Sequence, residues 1–147
     1  MYVFRCAASR DSPTQHAGIN FIIEDDPSGR ELLASYLQPL GIRTEFAETA
    51  DAGIAMARRV RPDAITLDLL LPGRTGWRVL EELRIIPETS GVPIFVVSVL
   101  DKDRAAIQRG ATEYLQKPLS KEVLLRALRE HAPERFGSVE AGLLPIK

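Results

Sequence analysis

Apolar positions follow two alternating rhythms along this chain. Ile19, Phe21, Ile22 and Ile23 form a compact run that stops at Glu24-Asp25-Asp26-Pro27, and Ile94, Phe95, Val96 and Val97 form another that ends in Ser98. Between them Ile65, Thr66 and Leu67 lead into Asp68, and Pro72, Gly73 and Gly76 follow at once. Short apolar runs bounded by turn residues read as strands buried on both faces. Ile42 to Ala47 instead alternates apolar and polar residues, as a half-exposed edge strand does, and Glu113 to Gln116 gives a fifth strand ending in Lys117-Pro118.

The intervening segments carry the helical period. Pro27 suits a first helical position with Asp26 as cap, and Leu32, Leu33, Tyr36, Leu37 and Leu40 then recur on one face up to Gly41. Gly53, Ile54, Ala57 and Val60 mark a second helix, broken by Arg61-Pro62, and Trp77, Leu80 and Leu83 a third, closed by Pro87 and the Thr89-Ser90-Gly91 turn. Asp101 to Arg109 fits a short fourth helix stopped by Gly110. Ser120 caps a last helix whose Val123, Leu124, Ala127 and Leu128 face inward. Five repeats of strand then helix predict an α/β domain with a parallel sheet covered on both faces: a flavodoxin-like doubly wound (βα)5 fold, strand order 2-1-3-4-5. The pattern places this domain at residues 19–132. Residues 1–18 lack periodicity and read as an irregular extension, and 133–147, with Pro133, Gly137, Gly142 and Pro145, as a tail.

Composition narrows the function. A chain of 147 residues that is 45% hydrophobic can bury one core and has no room for a second domain. The net charge of -1, from 19 basic and 20 acidic residues, supplies no field to hold nucleic acid or an anionic membrane. Cys6 alone excludes an internal disulfide framework and fits a reducing compartment, so cytoplasm is the expected location. No apolar run approaches a membrane span, and the first eight residues are too short and polar for a secretory core. His16 and His131 are isolated from ligand-type neighbours and carry no assigned chemistry; Trp77 is expected to pack the third helix.

Right-handed crossovers bring the carboxyl ends of all five strands to one edge, where open α/β sheets bind ligands. The residues at those ends are Glu24-Asp25, Asp68, Ser98 and Lys117. Three carboxylates so close are forced toward protonation unless a cation neutralises them. Mg²⁺ and the Lys117 ammonium can do so together, and a hard cation on carboxylates and water favours a phosphoryl partner.

The segments Phe21-Ile-Ile-Glu-Asp-Asp-Pro27, Ile65-Thr-Leu-Asp-Leu-Leu-Leu-Pro-Gly73, Phe95-Val-Val-Ser98 and Glu113-Tyr-Leu-Gln-Lys-Pro118, in that order, resemble the receiver domains of bacterial response regulators over about residues 19–131. The resemblance implies that Asp68 accepts a phosphoryl group from a histidine kinase or histidine phosphotransfer protein. It further implies that Glu24 and Asp25 hold Mg²⁺ with Asp68 and the main-chain oxygen of Leu70, that Ser98 hydrogen-bonds the phosphoryl group and that Lys117 pairs with it. Lys117-Pro118 would be a cis peptide, and Tyr114 matches the family's aromatic switch residue, although a fixed core aromatic is an equal reading. Such a chain is a signalling switch acting on a downstream protein, with no enzyme activity beyond self-phosphorylation from a donor and slow self-dephosphorylation.

Three features depart from the commonest family pattern. Val99 stands where a small residue usually follows the hydroxyl residue, and could crowd the aspartate. Ser98 and Lys117 lie 19 positions apart, an interval similar to receivers attached to hybrid sensor kinases. The short fourth helix prevents a dimer mode from being carried over, so a homodimer stays open, and the expected function is one without a DNA-binding output domain. Val99 keeps alive a pseudo-receiver that binds partners without phosphorylation. An aspartate-nucleophile phosphatase would want Asp-x-Asp after the first strand, and a flavodoxin a Ser/Thr/Gly-rich loop there; the acidic loop at Glu24 supplies neither.

Overall fold

The computed structural model describes residues 18–99 and 105–137. The expected extension at 1–17, most of the tail at 138–147 and the start of the fourth helix at 101–104 lie outside the described residues. The elements are β1 (Gly18–Ile23), α1 (Pro27–Leu37), a 3-10 turn (Gln38–Leu40), β2 (Ile42–Ala47), α2 (Ala50–Val60), β3 (Ala64–Asp68), α3 (Gly76–Ile85), β4 (Ile94–Ser98), α4 (Ala105–Gln108), β5 (Glu113–Gln116), α5 (Lys121–His131) and α6 (Pro133–Phe136). All strand pairs are parallel, in the order β2-β1-β3-β4-β5. This is the doubly wound arrangement that the alternating pattern predicts.

The sheet divides the core into two layers. Phe21, Ile23, Ile65, Leu67 and Val96 pack with α2 and α3 on one face, while Ile22, Phe95, Val97 and Leu115 pack with α1, α5 and α6 on the other. Strand residues therefore alternate between faces yet stay buried throughout β1, β3 and β4. Each longer helix starts on a side-chain cap: Asp26 accepts from the Ser28 N–H, Thr49 from Ala52, Thr75 from Arg78 and Ser120 from Val123.

Three expectations need correction. Leu32 on α1 and Val123 on α5 point outward, and Leu125 takes an inward place on α5 beside Leu124 and Leu128, because the buried stripe of α5 is turned by one residue from the expected one. Residues 133–136 are not tail: Pro133 starts α6, whose Phe136 is fully buried and whose Arg135 pairs with Asp63 at 3.4 Å. The counterpart of Phe136 is Gly18. A Cβ there would come within 2.8 Å of the Phe136 ring, so the glycine leaves the hollow that the aromatic fills. The folded unit thus runs past residue 132, and β1 begins at Gly18.

Phe136→Ala should cost about 3–5 kcal/mol, the range for emptying a buried aromatic site, as read by urea unfolding. A loss under about 1 kcal/mol would mean that α6 only rests on the surface.

Candidate functional site

Parallel register alone assembles the carboxyl edge. Ile23 pairs with Leu67, Asp68 with Val97 and Ser98 with Gln116, so Glu24, Asp68, Ser98 and Lys117 emerge side by side from four adjacent strands. The structure brings together the acidic and basic residues expected at the site. Carboxylate oxygens of Glu24, Asp25 and Asp68 lie within 4.8 Å of one another. Lys117 Nζ donates to Glu24 Oε1 at 2.7 Å and to Asp68 Oδ2 at 3.3 Å. Glu24 and Asp68 are buried and Asp25 is exposed. Lys117-Pro118 is cis, as the family resemblance implies.

Backbone groups complete the two buried carboxylates. The Asp26 N–H donates to Glu24 Oε2 at 3.2 Å, and the Leu70 N–H to Asp68 Oδ1 at 3.0 Å, while the Leu70 side chain stays half exposed. Two glycines clear the space this needs. A Cβ on Gly29, in the first turn of α1, would sit 3.0 Å from Glu24 Oε1. A Cβ on Gly76 would stand 2.6 Å from the Asp68 carbonyl oxygen and from Leu69 Cα, so only glycine lets α3 start directly against the end of β3. Gly73, at φ 83, takes the left-handed turn between them.

Among the described residues one ammonium faces three carboxylates, and the imbalance is visible in Glu24. Burial, reinforced by hydrogen bonding with Asp68, raises its pKa to about 7 despite Lys117. Lys117 itself is pushed down by burial, but its hydrogen bond to Glu24 and the charges of Asp68 and Glu24 outweigh that and hold its pKa above the ordinary lysine value. Clustered, under-neutralised hard oxygens fit a divalent cation such as Mg²⁺ by the chemistry of the donor set. Ser98 is fully buried at the end of β4, and Tyr114 is buried in the core layer shared with α3. Val99 is 60% exposed and lines a cavity of about 390 Å³ with Leu32, Val97, Lys117 and Pro118.

Other residues around the site escape a reading by motif. Arg30 on α1 donates through Nη1 to the main-chain oxygens of Glu24 at 2.9 Å and Asp25 at 3.1 Å. Arg74 in the β3–α3 loop pairs with Asp51 on α2 at 2.7 Å and with Glu82 on α3. The one available signal is that long helical side chains point back toward the helix N-terminus, which aims Arg30 at the β1–α1 loop. A second titratable group, Glu113, Glu130 and His131, lies at the opposite end of β5, where Arg126 pairs with both glutamates and His131 with Glu113.

A family model described as response regulator receiver domain matches residues 21–129. Protein PilH of Pseudomonas aeruginosa is 31% identical over 110 residues, which is 73% of this chain and 91% of PilH. The DNA-binding dual master transcriptional regulator RpaA of Synechocystis is 34% identical over 74% of this chain and 46% of its own length, so the chain spans nearly all of one relative and about half of the other. Among solved structures, the receiver domain of the sensor histidine kinase PA1611 from Pseudomonas aeruginosa, which holds a magnesium ion in its active site cleft, has a TM-score of 0.72. It is 28% identical and covers 79% of this chain and 98% of that one.

The raised Glu24 pKa fixes the sign of a pH effect. Between pH 4.5 and about 7 the folded, metal-free protein keeps a proton on Glu24 that the unfolded chain has released. This group therefore contributes stability below pH 4.5 that is lost as pH rises through about 7. Melting curves in a chelator should show that loss in the wild type and a flatter profile in Glu24→Gln. Identical profiles would show that Glu24 is not the titrating group.

Proposed function

The chain belongs to the response regulator receiver domain family, and from that membership and the geometry of its acidic edge we propose that it is a Mg²⁺-dependent phosphoacceptor switch. Asp68 takes the phosphoryl group from a histidine kinase or histidine phosphotransfer protein, and a downstream protein reads the change. The observation that carries this reading is the Lys117 ammonium held between Glu24 and Asp68, 2.7 and 3.3 Å away. It marks the place where negative charge is gathered and must be balanced.

The roles follow from electrostatics. An Asp68 carboxylate oxygen forms the new bond to phosphorus as the bond from phosphorus to the donor nitrogen breaks, with the electron pair leaving on the imidazole. Lys117 balances charge on the moving oxygens, and the fixed Leu70 N–H holds the other oxygen of Asp68 in place. No general base is required, because a carboxylate attacks as it stands. Glu24, Asp25, Asp68 and the Leu70 main-chain oxygen would hold Mg²⁺, which when bound supplies the positive charge that one lysine cannot. In this proposal Ser98 and Tyr114 are the residues that respond to the new charge. The apolar Leu70 offers an attacking water no hydrogen bond, which favours slow self-dephosphorylation. The same reading for Leu100 lies outside the described residues.

Incubation with acetyl phosphate and Mg²⁺ should add one phosphoryl mass to the wild type and none to Asp68→Asn. An adduct persisting in that variant would refute Asp68 as the acceptor, and a wild type that never takes one would favour the pseudo-receiver.

Because Val99 stands over the same cavity as Lys117, Val99→Ala should speed phosphorylation by acetyl phosphate a few-fold. An equal or slower rate in stopped-flow measurements of Trp77 fluorescence, calibrated by mass, would mean that bulk at this position does not limit entry.

A further inference from the structure

The β1–α1 loop must present Glu24 and Asp25 to one point, yet the two carboxylates differ in environment. Glu24 is buried and fixed by Lys117 and the Asp26 N–H, while Asp25 is exposed. What holds the main chain between them is Arg30. Its Nη1 carries two hydrogens and donates to the consecutive carbonyl oxygens of Glu24 and Asp25, at 2.9 and 3.1 Å. The other guanidinium contacts are of a different kind. Glu48 stands 3.8 Å from Nη2 and is 63% exposed, an ion pair of little worth. The Phe46 ring, 4.8 Å below the guanidinium carbon, supplies a flat shelf that keeps the group in plane. Arg30 is itself only 13% exposed, so the group is held and not free to wander.

We infer that Arg30 is a positioning residue for the cation site: by clamping the Glu24 and Asp25 carbonyls it fixes the direction in which both carboxylates leave the loop. The inference rests on the Mg²⁺-dependent reading of the acidic edge. Charge and geometry push in opposite directions here, which makes the idea testable. As a bare positive charge, Arg30 repels a divalent cation, and removing it should tighten Mg²⁺ binding. As a clamp, it confines the ligands, and its loss should weaken binding by about tenfold or more, the usual cost of removing a group that orients metal ligands. Lysine keeps the charge, but its nitrogen ends one bond short of the Nη1 position and has no planar face to lie on the Phe46 ring, so it is not held where both carbonyls can be met.

Calorimetric titration of Mg²⁺ into metal-free protein separates the two. R30K and R30Q should both bind about tenfold or more weakly than the wild type, while R43K, which changes only an exposed pair with Glu45, should bind normally. R30K at wild-type affinity, or R30Q binding as tightly as the wild type or more tightly, would overturn the clamp. Should R30Q fail to fold, R30K alone decides. A wild type that takes no Mg²⁺ would overturn both this inference and the function proposed above, whereas a binding wild type with an unchanged R30K overturns the inference alone.

Discussion

The ammonium of Lys117 between two buried carboxylates is the interaction on which the edge of this sheet depends. Burying Glu24 and Asp68 without it would leave two acidic groups stripped of water beside a third, a cost of several kcal/mol per ion even after relaxation. Lys117 relieves part of that cost and no more, since the Glu24 pKa still rises to about 7. A fully neutralised cluster would be an inert knot. A partly neutralised one retains a driving force to take up a cation, and with it a ligand that brings further oxygens. The same residual charge that lowers stability near neutral pH favours the uptake of a cation.

The fold contributes by placing backbone where side chains alone could not do the work. A parallel sheet aligns the strand ends, so residues 44 and 49 positions from Asp68 along the chain, Glu24 and Lys117, become its neighbours. Around them the loops are tied by groups outside the acidic cluster: Arg30 on the β1–α1 carbonyls, Arg74 across to α2 and α3, and Gly76 letting α3 start against β3. Buried strands give the site its rigidity. Val99, next to the fully buried Ser98, is exposed to solvent just past the end of β4.

The sequence made much of this legible because period and chemistry coincide. Buried parallel strands are continuous apolar runs, and a carboxylate or lysine that ends such a run is conspicuous; Glu24, Asp68 and Lys117 each stood out for that reason. Helix faces were less exact. Val123 and Leu125 are two residues apart on a short helix, and which of them turns inward is set by the packing of Leu124 and Leu128 against the sheet, not by the period itself. Phe136 was hidden for a different reason. Pro133 and Gly137 punctuate a tail as well as they bracket one helical turn, and what decides between them is the hollow at Gly18, a place 118 positions away in the chain.

The supporting groups were least legible, and the cause is general. An arginine on a helix can be a solvated charge, an ion-pair partner or a clamp on main-chain oxygens, and these share one letter. The difference lies in the acceptor. A carboxylate acceptor is itself visible in the sequence, so pairs such as Arg43 and Glu45 can be guessed from spacing. A carbonyl acceptor belongs to every residue, so nothing in the letters sets Glu24 and Asp25 apart as partners of Arg30. Arg84 makes the same point at the far edge of the sheet, where it donates to the carbonyls of Gly110, Thr89, Ser90 and Val92 and joins α3 to the loops around β4 and β5. The two arginines work at opposite ends of the domain, yet each fixes loops through oxygens that composition and pattern cannot name. The residues proposed to carry the chemistry can thus be read from the order of the chain, while those that hold them at the required distance emerge only once the backbone is folded.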